Sequence, residues 1–167
     1  MRFAFYLSAL VAPLAIAAPA KLDSNSIALA ERQAAPVKPE PCVRNNAVTV
    51  KETEARAKAF AQAFIVDRNI TAAFEHIAVD YINHNPLAQN GSDSAWGILS
   101  SIWGSVEINP LRTTFQNPQA WLKYEVVGFS QVVDRFRWEA GCIAEHWDQG
   151  EVFPSNAETT RACAATS

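Results

Sequence analysis

The last part of the patterned chain constrains the architecture most. From Pro110 onward the apolar spacing changes from a helical rhythm to alternation. Four runs rich in aromatic and β-branched residues follow one another: Leu111 to Gln116, Ala120 to Val127, Gln131 to Trp138, and Cys142 to Asp148. Asn117-Pro118, Gly128 and Gly141 punctuate them. This predicts four consecutive strands joined by short turns. In the second, Leu122, Tyr124 and Val126 face inward, while Lys123 and Glu125 face solvent.

The final two runs predict a β-hairpin around a loop Glu139-Ala140-Gly141. Trp138 then opposes Cys142, Phe136 opposes Ala144, and Asp134 opposes His146. Alternation puts Asp134, Phe136, Trp138, Cys142, Ala144, His146 and Asp148 on one face. Arg135, Arg137, Ile143, Glu145 and Trp147 share the other, where an Arg135–Glu145 ion pair suits a solvent face. The first face is apolar near the turn and then gathers two carboxylates and an imidazole. Such groups are costly to bury unless paired or useful. Close carboxylates separate in proton affinity and supply an acid and a base. A surface hairpin with solvated Asp and His is the plainer alternative.

Upstream, Thr49-Val50-Lys51-Glu52 has the form of a capping box and opens a helix to about Asp67. Ala55, Ala59, Phe60, Ala63 and Phe64 make its apolar stripe, a core pattern before a ligand site. A short helix follows from Thr71 to Ile77, capped by Asn69 or Thr71. Tyr81 to His84 is extended and ends in a polar cluster before the turn at Pro86 and Gly91. A third helix spans Ser94 to Ser105, with Trp96, Leu99, Ile102 and Trp103 on one side. Helices first and a meander afterwards is an α+β layout, with helices on one face of a curved antiparallel sheet. Such a sheet can enclose a pocket.

The 167 residues suit one domain. A net charge of -3 and no long basic run argue against a nucleic-acid partner. Metal motifs such as HExxH or paired CxxC are absent from the sequence. Residues 1–20 read as a secretory signal peptide: Arg2, an apolar run from Phe3 to Ala17, then small residues. Residues 21–41 read as a disordered leader or propeptide, 42–153 as the domain, and 154–167 as a tail. Entry to the secretory pathway fits N-glycosylation acceptors at Asn69 and Asn90, a location in its lumen or outside the cell, and no stable membrane association once the signal is removed. Three cysteines remain, Cys42, Cys142 and Cys163. The parity of Cys142 places it inward as a free thiol, leaving Cys42 and Cys163 to form the disulfide.

Tyr81-Ile82-Asn83-His84-Asn85-Pro86 with Gly91, Asp134-Arg135-Phe136-Arg137, and Glu145-His146-Trp147-Asp148 together resemble motifs of SnoaL-like polyketide cyclases. Asn83 stands where that family commonly has Gln, Cys142 where it has Lys or Arg, and Lys123-Tyr124 where a His is common. The resemblance implies the cone-shaped fold shared with nuclear transport factor 2 and cofactor-free, metal-free acid–base chemistry. It implies Asp148 as general base and Asp134 as its acid or orienting partner. His146 would stand between them, and His84 would donate from the opposite wall or simply cap its turn. Tyr81, Asn83, Tyr124, Phe136 and Trp138 would contact a hydrophobic substrate. Secreted members suggest epoxide opening or ring closure in polyketide tailoring. A non-catalytic binding protein with the same pocket, and a homodimer formed through Trp147, are the competing readings.

Overall fold

The computed structural model describes residues 35–155. Helix α1 spans Val50–Ala61 and opens as expected: Thr49 Oγ1 accepts from the Glu52 N–H, and the Glu52 carboxylate accepts from the Thr49 N–H at 2.8 Å. Two of the helix's orphan donors are thereby satisfied. Its buried stripe is Thr53, Ala57, Phe60 and Ala61. Ala55 and Ala59 instead face solvent. Steps of four and three residues back from Phe60 land on neither of them. The helix continues into a π-helical turn, Gln62–Val66, where the Asp67 N–H donates to the Gln62 carbonyl at 2.9 Å. That wider turn carries three consecutive buried residues, Ala63, Phe64 and Ile65.

Helix α2 is Ile70–Phe74, and Asn69 caps it by accepting from the Ala72 N–H at 3.1 Å. Strand β1, Ile77–Asn83, is longer than the extended piece the sequence suggested. Helix α3 is Ser92–Leu99, and a separate 3₁₀ turn covers Trp103–Ser105. The single expected helix breaks there because Trp103 turns inward and donates its Nε1–H to the Phe64 carbonyl at 2.6 Å. Ile102 is left 47% exposed.

Strands β2 (Ile108–Gln116), β3 (Gln119–Val126), β4 (Gln131–Glu139) and β5 (Cys142–Trp147) form the predicted meander. The sheet has five strands in the order β1-β5-β4-β3-β2. It is not purely antiparallel: β1 lies parallel to β5. Parallel neighbours need a long connection, and here everything from α3 to β4 supplies it. Ring contacts tie helices to sheet. Phe60 meets Phe136 of β4 edge-on at 4.8 Å, and Phe64 stacks on Trp103 at 4.2 Å. Burying each such ring contributes about 1.5–3 kcal/mol.

The disulfide differs from the expected one. Cys42 is bonded to Cys142; Cys163 lies outside the described residues, as do the expected signal peptide and residues 156–167 of the tail. The hairpin register explains the error. Its loop is two residues, Ala140 and Gly141, both with positive φ, as a type I′ turn requires. Near the turn Glu139 opposes Cys142 and Trp138 opposes Ile143. Cys142 is therefore off the Trp138 face and meets Cys42, whose backbone bridges Ala78 of β1. A one-residue slip moves every side chain to the other face.

The end of the expected leader touches the domain. The Val37 carbonyl accepts from Thr71 Oγ1 at 2.9 Å, and Lys38 pairs with Asp93. No helix among the described residues is long and apolar enough to cross a membrane.

Candidate active site

A bulge restores the hairpin face that the turn had shifted. Beyond Ile143 the register steps by one, so Arg137 opposes Glu145, Phe136 opposes His146, and Arg135 opposes Trp147. Ala144 is the extra residue. Asp134, Phe136 and His146 thus share the inner face as expected, with Asp134 diagonal to His146 and not directly opposite. On the outer face, Glu145 pairs with Arg137 at 2.6 Å. Arg135 instead bonds Glu151, at 2.8 and 3.0 Å, and lies over the Trp147 ring.

The inner face opens on a cavity of about 380 Å³. Phe60, Phe64 and Phe74 from the helical side and Tyr124, Val126, Val132 and Phe136 from the sheet supply most of its wall. Asp134, His146, Asp148, Asn83 and Asn85 gather among these apolar groups. Leu87 and Ile98 line it while also exposed, at 85% and 45%, giving it an apolar rim.

Asp134 is 4% exposed and fully bonded. Its Oδ2 accepts from the Tyr124 hydroxyl at 2.8 Å, and its Oδ1 lies 3.0 Å from His146 Nε2. Burial, then the neighbouring Asp134 carboxylate, pushes the Tyr124 phenol well above its ordinary range. Tyr124 therefore stays a donor. Burial and the charges of Asp134 and Asp148 likewise push Tyr81 far upward. The His146 ring lies near-parallel to Phe136, 4.8 Å away, and to Tyr81, 6.4 Å away. Its Nδ1 meets Asn83 Oδ1 at 3.2 Å.

Asp148 is different. Its Oδ2 accepts from Asn85 Nδ2 at 2.5 Å, but its Oδ1 is buried without a protein partner. One ligand-type atom each from Asp134, His146 and Asp148 lies within 4.8 Å of the others. An imidazole and two carboxylates that close can share or relay a proton, and they have the donor types that divalent metals accept.

Of the residues anticipated from sequence, Asp134, His146, Asp148, Tyr81, Asn83, Tyr124 and Phe136 line this cavity. His84 does not. It sits on the outer face, stacked on Trp147 at 4.3 Å and bonded to Glu145 at 2.9 Å. It directly follows Asn83, and alternation sends neighbours to opposite faces. Trp138 also leaves the wall, lying in the core 6.2 Å from Phe60. Asn85 was missed as a site residue, although two residues on from Asn83 is the spacing that returns to one face. The helical aromatics were read as core, and Phe60 and Phe64 serve both core and cavity. Asn69 and Asn90 are both exposed.

A second cavity, about 330 Å³, lies between α1 and strands β2 and β3. Its charged wall is self-paired, Lys58 donating to Glu54 at 2.7 Å.

No family model matches the chain, and no curated protein matches its sequence. Three solved structures are similar to part of it. TsrD from Streptomyces laurentii is 15% identical with a TM-score of 0.46, over 61% of this chain and 90% of its own. AclR from Streptomyces galilaeus, described as a candidate hydroxylase, is 13% identical with a TM-score of 0.48, over 60% and 89%. A candidate polyketide cyclase from Sinorhizobium meliloti is 18% identical with a TM-score of 0.44, over 55% and 90%.

Proposed function

We propose that the chain is an acid–base enzyme of the SnoaL-like type, with a cone-shaped pocket, that opens an epoxide or closes a ring on a hydrophobic, polyketide-like molecule without a cofactor. One observation carries the reading: Asp148 Oδ1 is a buried carboxylate oxygen with no partner beside an apolar cavity. Leaving a buried acceptor unpaired costs about 1–3 kcal/mol. A substrate proton is the partner it lacks.

In epoxide opening, Asp148 Oδ1 takes a proton from water, whose oxygen bonds to an epoxide carbon. That carbon–oxygen bond breaks, and the freed oxygen takes the proton held between Asp134 and His146. Return of the proton from Asp148 to that pair closes the cycle. In ring closure, Asp148 takes a proton from a carbon beside a carbonyl. The carbanion attacks a second carbonyl, and the alkoxide is protonated from the same pair. The apolar wall excludes water and strengthens both transfers. The disulfide supports a secretory location, since such bonds persist in oxidising compartments. We place glycans at Asn69 and Asn90 within the same proposal.

The test is Asp148→Asn, assayed on epoxide and open-chain polyketide-like substrates, with binding measured alongside. Turnover should collapse while affinity holds. Wild-type turnover in the variant would overturn the assignment. Binding by the wild type with no chemistry on either substrate class would favour a carrier.

A further inference from the structure

We infer that Asn83 and Asn85 are positioning residues that settle where the protons of this site sit. Asn83 dictates which nitrogen of His146 is protonated, and Asn85 pins one oxygen of Asp148 so that the other faces the cavity. The kinetic consequence rests on the acid–base reading above; the proton placement does not.

An amide side chain can be turned either way, so its donors and acceptors follow from its partners. Asn83 Oδ1 accepts from the Asn85 backbone N–H at 3.0 Å. Reversing the amide would set an NH₂ against that N–H, donor to donor. The oxygen is therefore fixed where it is. His146 Nδ1, 3.2 Å from the same oxygen, must then donate to it. One proton is thus committed to Nδ1. A single further proton lies between Nε2 and Asp134 Oδ1, whose separation is 3.0 Å. Tyr124 is bonded to the other Asp134 oxygen and takes no part in this contact.

Asn85 repeats the device two residues on. Its Oδ1 accepts from the Leu87 N–H at 2.8 Å, so its NH₂ must point away and donate to Asp148 Oδ2. That bond orients the carboxylate. Consecutive side-chain-to-backbone turns of this type suit Asn, whose short amide reaches the N–H two residues ahead. The loop is itself anchored to β5, since the His84 N–H donates to the His146 carbonyl at 2.9 Å. One loop therefore sets both halves of the acid–base machinery.

Long-range proton–nitrogen NMR on ¹⁵N-histidine-labelled, ligand-free protein reads the first half directly, with His146→Gln assigning the signal among the three histidines. His146 Nδ1 should be protonated. Asn83→Asp, which keeps an acceptor, should preserve this, and Asn83→Leu should lose it. A bare Nδ1 in the wild type would overturn the inference, as would a protonated Nδ1 that survives Asn83→Leu.

For the second half, one Asn85 side-chain amide proton should lie far downfield and return to the free position in Asp148→Ala. Two free-position protons in the wild type would overturn it. In turnover, Asn85→Asp should fall about 100-fold in kcat with KM nearly unchanged. Asp still makes the turn to Leu87 but cannot donate to Asp148. Wild-type turnover in Asn85→Asp would mean that Asn85 only shapes the loop. Retained turnover in Asp148→Asn would sink the acid–base reading while leaving both NMR results standing.

Discussion

Strand β5 carries an imidazole–carboxylate contact on each face, and the two differ in what surrounds them. Inside, His146 meets Asp134 at 3.0 Å; outside, His84 meets Glu145 at 2.9 Å. The outer pair is closed. Arg137 neutralises Glu145 at 2.6 Å, and Trp147 lies between the His84 ring and the Arg135 guanidinium. Every charge there has an opposite within reach, and water screens the rest. The inner pair has no cation beside it among the contacts described. Its neighbours are aromatic rings, Asn83 and Asp148, and the second oxygen of Asp148 is unpaired. A histidine beside a carboxylate is therefore not a site in itself. What sets the inner pair apart is the unpaired Asp148 oxygen beside it, at the wall of the cavity.

That contrast can be broken from either side. The largest effect should come from Asp148→Asn, with kcat down about 10³-fold, within the usual range for a general base. Glu145→Gln should leave turnover within about twofold, and steady-state kinetics on both variants checks the pair. Equal losses in the two would erase the distinction between the faces.

Next comes the disulfide at the start of β5. Cys42 and Cys142 are 100 residues apart, a long loop to leave open in the unfolded chain. Replacing both with Ser should lower unfolding free energy by about 2–5 kcal/mol. Urea denaturation measures it, and non-reducing peptide mapping should recover the two cysteines joined.

Asp134→Ala should cost about 1–3 kcal/mol, because Tyr124 and His146 lose a buried partner. Asp134→Asn should cost less, since an amide keeps an acceptor for Tyr124. The urea midpoints of the two variants give the ordering.

The smallest effect belongs to the outer pair. The hydrogen bond with His84, then that with Arg137, holds the Glu145 carboxyl below its ordinary value. A lowered carboxyl adds stability that is complete above the unfolded-state value and is lost as pH falls through the folded one. Glu145→Gln should therefore sit about 0.5–1 kcal/mol below wild type at neutral pH, and the two should converge in acid. A gap that persists under acid conditions would assign the loss to packing.

Much of this was legible in residue order. Capping at Thr49, the turns at Gly128 and Gly141, and strand alternation are local rules that need no partner to be read. They placed α1 and the four meander strands and brought Asp134, His146 and Asp148 to one face. The site survived a wrong hairpin register for a definite reason. The two-residue turn shifts parity by one, the bulge at Ala144 shifts it again, and two shifts restore the face. Cys142 and Ile143 lie between turn and bulge, so they bore the error: Ile143 turns inward opposite Trp138, Cys142 turns away, and the disulfide changes with it.

What local rules could not reach was decided by tertiary contact. The parallel docking of β1 beside β5 depends on an encounter across sixty-odd residues of intervening chain, about the separation Ile77↔Ile143 records. That docking sends Asn83 and Asn85 inward and His84 outward. Phe60 and Phe64 obey the same apolar stripe whether they fill a core or wall a cavity, and only the opposing sheet determines how much space remains. The sequence by itself determined that Asp134, Phe136 and His146 share one face of the hairpin. The fold decided which carboxylate oxygen was left without a partner, because that depends on groups distant in the chain converging within hydrogen-bond reach.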